Sequence, residues 1–71
     1  MEKKKDLRVQ KTYSALMAAF EALMAEETFD DITVNELCAR ALIRRPTFYS
    51  HFEDKYSFLR FYLNEIQWQI E

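Results

Sequence analysis

A single proline sets the strongest local constraint in this chain, because Pro46 is the only proline and glycine is absent. Proline lacks an amide hydrogen and disfavours helical dihedrals at the residue before it, so it is tolerated only in the first turn of a helix. A helix should therefore begin at Arg45 or Pro46. The surrounding stretch ITVNELCARALIRRPTFYSHF, residues 32–52, is typical of two short helices joined by a tight turn.

The first of these helices has a clear start signal. Thr33 and Glu36 have the spacing of a capping box, in which the Thr hydroxyl accepts from the amide three residues on and the Glu carboxylate reaches back. Ile32 and Leu37 flank the cap where a hydrophobic staple would form. A short apolar stripe follows, and the turn should supply one further core anchor: Val34, Leu37, Cys38, Ala41 and Ile43.

Two longer amphipathic helices flank this pair. The first should begin near Leu7. Apolar residues recur along it at helical spacing and should face the core: Tyr13, Leu16, Met17, Phe20, Leu23 and Met24. Asp54 is a candidate N-cap for the last helix, whose predicted inner face is Phe58, Leu59, Tyr62, Leu63, Ile66 and Ile70. No strand-like alternation competes with this pattern. The predicted fold class is all-α: a small bundle with a three-helix helix-turn-helix head and the start of a long fourth helix.

Composition excludes several function classes. The 71 residues suffice for one small domain, and a single Cys and a single His supply neither a disulfide framework nor a zinc site. Paired carboxylates, a nucleophile with a base and a phosphate-binding loop are also missing, so we expect neither an enzyme nor a cofactor. With no signal peptide and no run of 18 apolar residues, the chain is predicted to be cytoplasmic and to make no membrane contact.

Charge is segregated along the chain although the net charge is only −2. Residues 1–11 carry five bases against two acids, and residues 12–36 carry six acids and no base. Residues 40–55 carry four bases against two acids. The predicted second helix of the pair therefore lies in a basic segment, while the acids cluster elsewhere.

Two short helices, the second preceded by paired arginines, form the layout of a helix-turn-helix reader of DNA. Phe48 and Phe52 should face the core, which leaves polar side chains on the other faces of the second helix: Arg44, Arg45, Thr47, Ser50 and His51. Arginine can contact a guanine edge or a phosphate, and hydroxyl groups can fix the register on the backbone.

Residues 8–63 resemble the TetR-type transcriptional regulators. The resemblance rests on Thr33-Val34, on the run Thr47-Phe48-Tyr49-Ser50-His51-Phe52 followed by Lys55, and on Ala18-Ala19-Phe20 in the first helix. It implies a DNA-binding head at residues 7–53, after a basic arm at residues 1–6. Residues 54–71 would form a fourth helix leading to a C-terminal ligand and dimerisation domain that is absent here.

The resemblance also implies site residues and partners. Thr33, Tyr49, His51 and Lys55 would contact the DNA backbone, and Arg44, Arg45, Pro46 and Thr47 would face base edges or adjoining phosphates. The partner would be a pseudo-palindromic double-stranded operator. It would be bound by a homodimeric repressor whose small-molecule effector binds the absent domain. The chain departs from the family at Leu42 and Pro46, where many members have glycine, so Leu42 should occupy a left-handed turn position.

An alternative comes from the aromatic last helix. It carries more apolar surface than a four-helix head should bury, and such surface usually marks an interface. The predicted interface residues are Phe61, Ile66, Trp68 and Ile70, facing either the absent domain or a second copy. The alternative function is a protein-interaction module that docks through this helix without binding DNA.

Overall fold

The computed structural model describes the backbone of residues 3–70 and the side chains of residues 7–66. Four helices follow one another: α1 (Lys3–Met24), α2 (Val34–Ala41), α3 (Arg45–Tyr49) and α4 (Lys55–Ile70). One 3-10 turn, Phe29–Asp31, lies between α1 and α2. The backbone of residues 3–70 contains no strand. The predicted all-α helix-turn-helix bundle is confirmed.

The start of α1 differs from the prediction, because the helix begins at Lys3 and not near Leu7. Lysine is a good helix former and nothing between Lys3 and Asp6 breaks a helix, so the basic run is continuous with the apolar part of α1. The backbone of residues 3–6 is therefore helical. The side chains of residues 1–6 lie outside the described residues.

The start of α2 is held by the predicted capping box. The Glu36 amide donates to the Thr33 hydroxyl at 3.1 Å, and the Thr33 amide donates to the Glu36 carboxylate at 3.3 Å. Ile32 and Leu37, on either side of the cap, are both buried. Local sequence therefore fixes both where α2 begins and how the chain enters it.

The turn between α2 and α3 passes through a left-handed residue. Leu42 has φ 61° and ψ 40°, as predicted from its position, and the Ile43 amide donates to the Cys38 carbonyl at 2.9 Å. Ile43 then packs against the core. The next helix begins at Arg45 with Pro46 in its first turn, which confirms the start that proline imposes.

The core is built on α1, and each later helix adds at least one buried side chain to it. Its buried members are Leu16, Ala19, Phe20, Leu23, Ile32, Leu37, Cys38, Phe48, Phe52 and Phe58. The Phe52 ring lies 5.3 Å from Phe48 and 5.1 Å from Phe58, centroid to centroid. Burying each such ring stabilises the fold by about 2–3 kcal/mol, so these contacts lock the short α3 in one orientation.

The inner face of α4 differs in part from the prediction. Asp54 caps the helix as expected, accepting from the Ser57 amide at 2.9 Å. Leu63 is 51% exposed and does not face the core. Phe61 takes that role, with its ring 4.7 Å from Tyr13. The inward set on α4 is Phe58, Leu59, Phe61 and Tyr62, because these residues form the stripe that packs against the core.

A polar contact completes the junction of α1 and α4. The Tyr62 hydroxyl donates to the Glu21 carboxylate at 2.9 Å, and burial together with this carboxylate raises the pKa of the tyrosine. At the end of α1, Met24 is 44% exposed, so its predicted place in the core is wrong. Met24 is the last residue of its helix and lies beyond the packed stripe.

Candidate nucleic-acid interface

The outer face of α3 carries most of the predicted site residues. Phe48 is fully buried, and its burial turns the opposite face of the helix outward. Arg44, Arg45 and Pro46 are exposed at the start of α3, and Thr47 is half-buried. The structure therefore brings the two arginines together at one exposed end of the helix.

Arg45 is held by a residue that the sequence did not single out. Its Nη1 donates to the Asn35 Oδ1 at 2.6 Å, which joins the first turn of α2 to the first turn of α3. The nearby guanidinium also acts on Cys38: burial raises the pKa of this thiol, and the Arg45 charge opposes the rise. Asn35 could have been noticed as a polar side chain in the first turn of α2, but nothing in the sequence links it to Arg45.

Tyr49 and His51 lie at the other end of α3. Tyr49 is 51% exposed, and its ring packs edge-on against Phe48 at 5.3 Å. His51 is exposed, and its Nδ1 lies 3.3 Å from the Tyr13 hydroxyl of α1. The two rings are also in edge-to-face contact at 5.3 Å. The sequence placed Tyr13 in the core, and the structure adds this contact with a predicted DNA-facing residue.

Thr33 serves as the N-cap of α2, and its side chain is exposed. Its hydroxyl oxygen accepts from the Glu36 amide. Because a hydroxyl can accept and donate at once, the O–H hydrogen remains able to bond to a phosphate oxygen. The cap and the predicted phosphate contact are therefore compatible at this residue.

Lys55 has a different role in the structure from the phosphate contact expected for it. Its Nζ donates to three backbone carbonyls, those of Phe29 at 2.8 Å, Asp30 at 3.2 Å and Ile32 at 2.7 Å. The ammonium also lies 4.6 Å from the centre of the Phe29 ring. Since an ammonium has three N–H donors, a phosphate contact would have to replace one of these bonds. Lys55 anchors α4 to the 3-10 turn.

The predicted interface residues of α4 lie in different environments in the structure. Phe61 packs within the head, against Tyr13 and Phe52. Ile66 is half-buried, and the side chains of Trp68 and Ile70 lie outside the described residues. Tyr56 and Leu63, which were not predicted as interface residues, are instead more than half exposed.

Among residues 3–70, no helix combines the length and apolar character that a membrane span needs. No group of three or more His, Cys, Asp or Glu side chains within the described residues is placed to hold a metal ion.

Comparison with known proteins accounts for this arrangement. Residues 16–60 match the family described as bacterial regulatory proteins, tetR family. The chain belongs to the tetR family. It is also 38% identical over 60 residues to the uncharacterized HTH-type transcriptional regulator YxbF of Bacillus subtilis (strain 168). No solved structure shows a significant match.

The tetR match covers α2, the turn and α3 completely, together with residues 16–24 of α1 and residues 55–60 of α4. It therefore confirms a DNA-binding domain of a transcription regulator. The segment shared with YxbF covers 83% of this chain but 16% of that relative. The chain thus spans a small part of the curated relative that it matches.

Proposed function

We propose that this chain is a sequence-specific DNA-binding head that represses transcription by occupying an operator. The observation that carries the proposal is that one side of α3 is buried in the core and the other side is exposed to solvent. Phe48 and Phe52 fix it to the core, while Arg44, Arg45 and Tyr49 are exposed on its other side. A short helix held this firmly can enter a major groove without losing much conformational freedom.

In this proposal the exposed side chains divide into two classes. Arg44, Arg45, Pro46 and the half-buried Thr47 face base edges or adjoining phosphates at the start of α3. Thr33, Tyr49 and His51 contact phosphates on either side of the groove. Backbone contacts supply affinity and register, and base contacts supply sequence preference.

The whole regulator would act as a homodimer in the bacterial cytoplasm. Two copies place two recognition helices in successive major grooves, which calls for a pseudo-palindromic operator. A small-molecule effector would act through a C-terminal domain reached by α4. The exposed Tyr56 and Leu63 on α4 are apolar surface that such a domain or a second copy could cover.

The test uses fluorescence anisotropy to measure binding of labelled DNA from the promoter of the protein's own gene, at low and at high salt. Arg45→Ala and Tyr49→Ala should each lower specific affinity at least tenfold, corresponding to about 1.4 kcal/mol. Both variants should keep the helical circular dichroism of the wild type because both side chains are exposed. Arg60→Ala, which removes an exposed charge from α4, is the control and should retain specific binding.

Two results would contradict the proposal. One is affinity for promoter DNA that does not change with salt, since phosphate contacts must release counterions. The other is unchanged operator affinity in both α3 variants. An interaction module that docks through α4 would show no salt-sensitive binding to DNA.

A further inference from the structure

The contact between Asn35 and Arg45 limits what each side chain can offer to a base. Arg45 carries only donors, so the asparagine atom 2.6 Å from its Nη1 must be the carbonyl Oδ1 and not the amide nitrogen. The orientation of the Asn35 amide therefore follows from chemistry. With Oδ1 engaged, Asn35 directs its two N–H donors away from Arg45.

Arg45 keeps most of its own hydrogen-bonding capacity. A guanidinium has five N–H donors, and the bond to Asn35 uses one. The remaining four still allow the paired contact to O6 and N7 of guanine. Asn35 thus fixes the position of the guanidinium without using the donors that a guanine contact needs.

The two side chains are also close enough to act on neighbouring bases. Their bonded atoms are 2.6 Å apart, which is less than the step of about 3.4 Å between successive bases of a DNA strand. Both residues are exposed, one in the first turn of α2 and the other in the first turn of α3. They form one continuous group of donors that bridges the two helices.

We infer that Asn35 and Arg45 together read a guanine and an adjoining base that presents major-groove acceptors. Arg45 contacts the guanine, and the free Asn35 N–H groups contact a second guanine or a thymine. Asparagine usually reads adenine through one donor and one acceptor. Here Arg45 occupies one of the two lone pairs of that acceptor, and its positive charge disfavours the approach of the adenine amino hydrogens to the other. Cytosine offers a donor at this edge, so it is disfavoured at the second position. This inference rests on the proposed function and specifies its base preference.

The test selects DNA from a randomised double-stranded library at low salt with the wild-type chain and with substituted chains. The wild type should enrich a motif with a guanine followed or preceded by guanine or thymine. Arg45→Ala should lower the preference for the first guanine by about tenfold. Arg60→Ala, which removes the same charge from α4, should enrich the wild-type motif.

Two substitutions of Asn35 separate its two roles. Asn35→Asp retains an acceptor for Arg45 but has no N–H donors, so the guanine preference should persist while the preference at the neighbouring base is lost. Asn35→Ala removes both the acceptor for Arg45 and the N–H donors. The preference at the neighbouring base should therefore disappear, and the guanine preference should weaken severalfold. Thermal unfolding of each variant checks that the exposed substitutions leave the fold intact.

Three outcomes would overturn the inference. Selection of an Asn35-dependent adenine would mean that the Asn35 acceptor is free for DNA. A wild-type motif retained at full strength by Asn35→Ala would mean that Asn35 plays no part in reading. In both cases sequence-specific binding would stand. Failure of the wild type to enrich any motif would overturn the proposed function as well.

Discussion

At the scale of single residues, Leu42 shows how a helix-turn-helix can form without glycine. It is the residue with positive φ within the described backbone, and its side chain is 91% exposed. A left-handed backbone brings Cβ close to the following carbonyl oxygen, which costs about 1–2 kcal/mol in a residue other than glycine. Leu42 therefore carries strain that its side chain does not offset by packing.

Leu42→Gly should stabilise the domain by about 1 kcal/mol, the relief of strain less the added freedom of glycine in the unfolded chain. Urea denaturation followed by circular dichroism measures the change. Leu42→Ala is the matched control, because it removes the exposed apolar atoms but keeps Cβ and so should give little gain. Equal stabilisation by the two variants would contradict the role of the left-handed backbone.

Lys55 stabilises the fold through its ammonium group, which donates to three backbone carbonyls. Lys55→Met keeps most of the aliphatic stem but removes the three N–H donors, so it should lower the free energy of unfolding by about 2 kcal/mol. Thermal and urea unfolding measure the loss. Lys11→Met, on an exposed part of α1, should change stability little. A Lys55→Met chain as stable as the wild type would show that the carbonyl contacts contribute nothing measurable.

At the scale of elements, the N-terminus of α2 combines a structural and a proposed functional role in one hydroxyl. The capping box needs an acceptor at position 33, whereas the proposed phosphate contact needs a donor. A substitution at position 33 that keeps the acceptor but removes the donor should therefore preserve stability and weaken DNA binding.

Thr33→Asp should keep the stability of the wild type within about 0.5 kcal/mol, because aspartate is a good N-cap. Its DNA affinity should fall at least tenfold, since the carboxylate repels phosphate. Thr33→Ser should retain both properties, and Thr33→Ala should lose about 1 kcal/mol of stability. Anisotropy and urea titrations on the same preparations measure both quantities. Wild-type DNA binding by Thr33→Asp would exclude a phosphate contact at this position.

At the scale of the whole molecule, the segregated charges of the sequence become two separate regions. The arginines of α3 lie at the proposed DNA interface. Acids gather where the end of α1 meets α2, and one of them, Glu26, pairs with Arg40 at 3.0 Å. Burial, followed by the charge of Glu36, raises the pKa of Glu27 in this region. The net charge of −2 therefore conceals a basic surface at the start of α3.

The raised pKa of Glu27 predicts a pH-dependent stability. The folded chain binds a proton at Glu27 more tightly than the unfolded chain does, so this stabilisation is present at acid pH and is lost as pH rises through the folded pKa. Glu27→Gln should therefore have a higher Tm than the wild type at pH 7, and the difference should disappear below about pH 4. Thermal scans between pH 4 and 7 measure this trend.

Glu53→Gln, an exposed substitution outside this region, is the control for the pH series. It removes the same charge from the loop before α4 and should not reproduce the pH-dependent difference. A Glu27→Gln chain that is less stable than the wild type at pH 7 would contradict the unfavourable environment inferred for this carboxylate.

Features that depend on neighbours a few residues away could be predicted from the sequence. Thr33 with Glu36 fixed the start of α2, Pro46 fixed the start of α3, and Asp54 with Ser57 fixed the start of α4. The family resemblance was also readable, because its motif is a continuous run through α3. In these cases the chain brings the interacting groups together by helical geometry alone.

Contacts between side chains that are distant in sequence could not be predicted, because they depend on how the helices pack. Arg45 is 10 residues from Asn35, and Tyr13 is 38 residues from His51. The inner face of α4 could not be chosen from periodicity, because apolar residues lie on several of its faces and the angle against α1 selects Phe61 over Leu63. The contacts of Lys55 could not be predicted either. The family motif implied a contact with the DNA backbone, whereas in the folded chain three backbone carbonyls accept from its ammonium. Hydrophobic packing sets those distances, and one-dimensional patterns do not contain them.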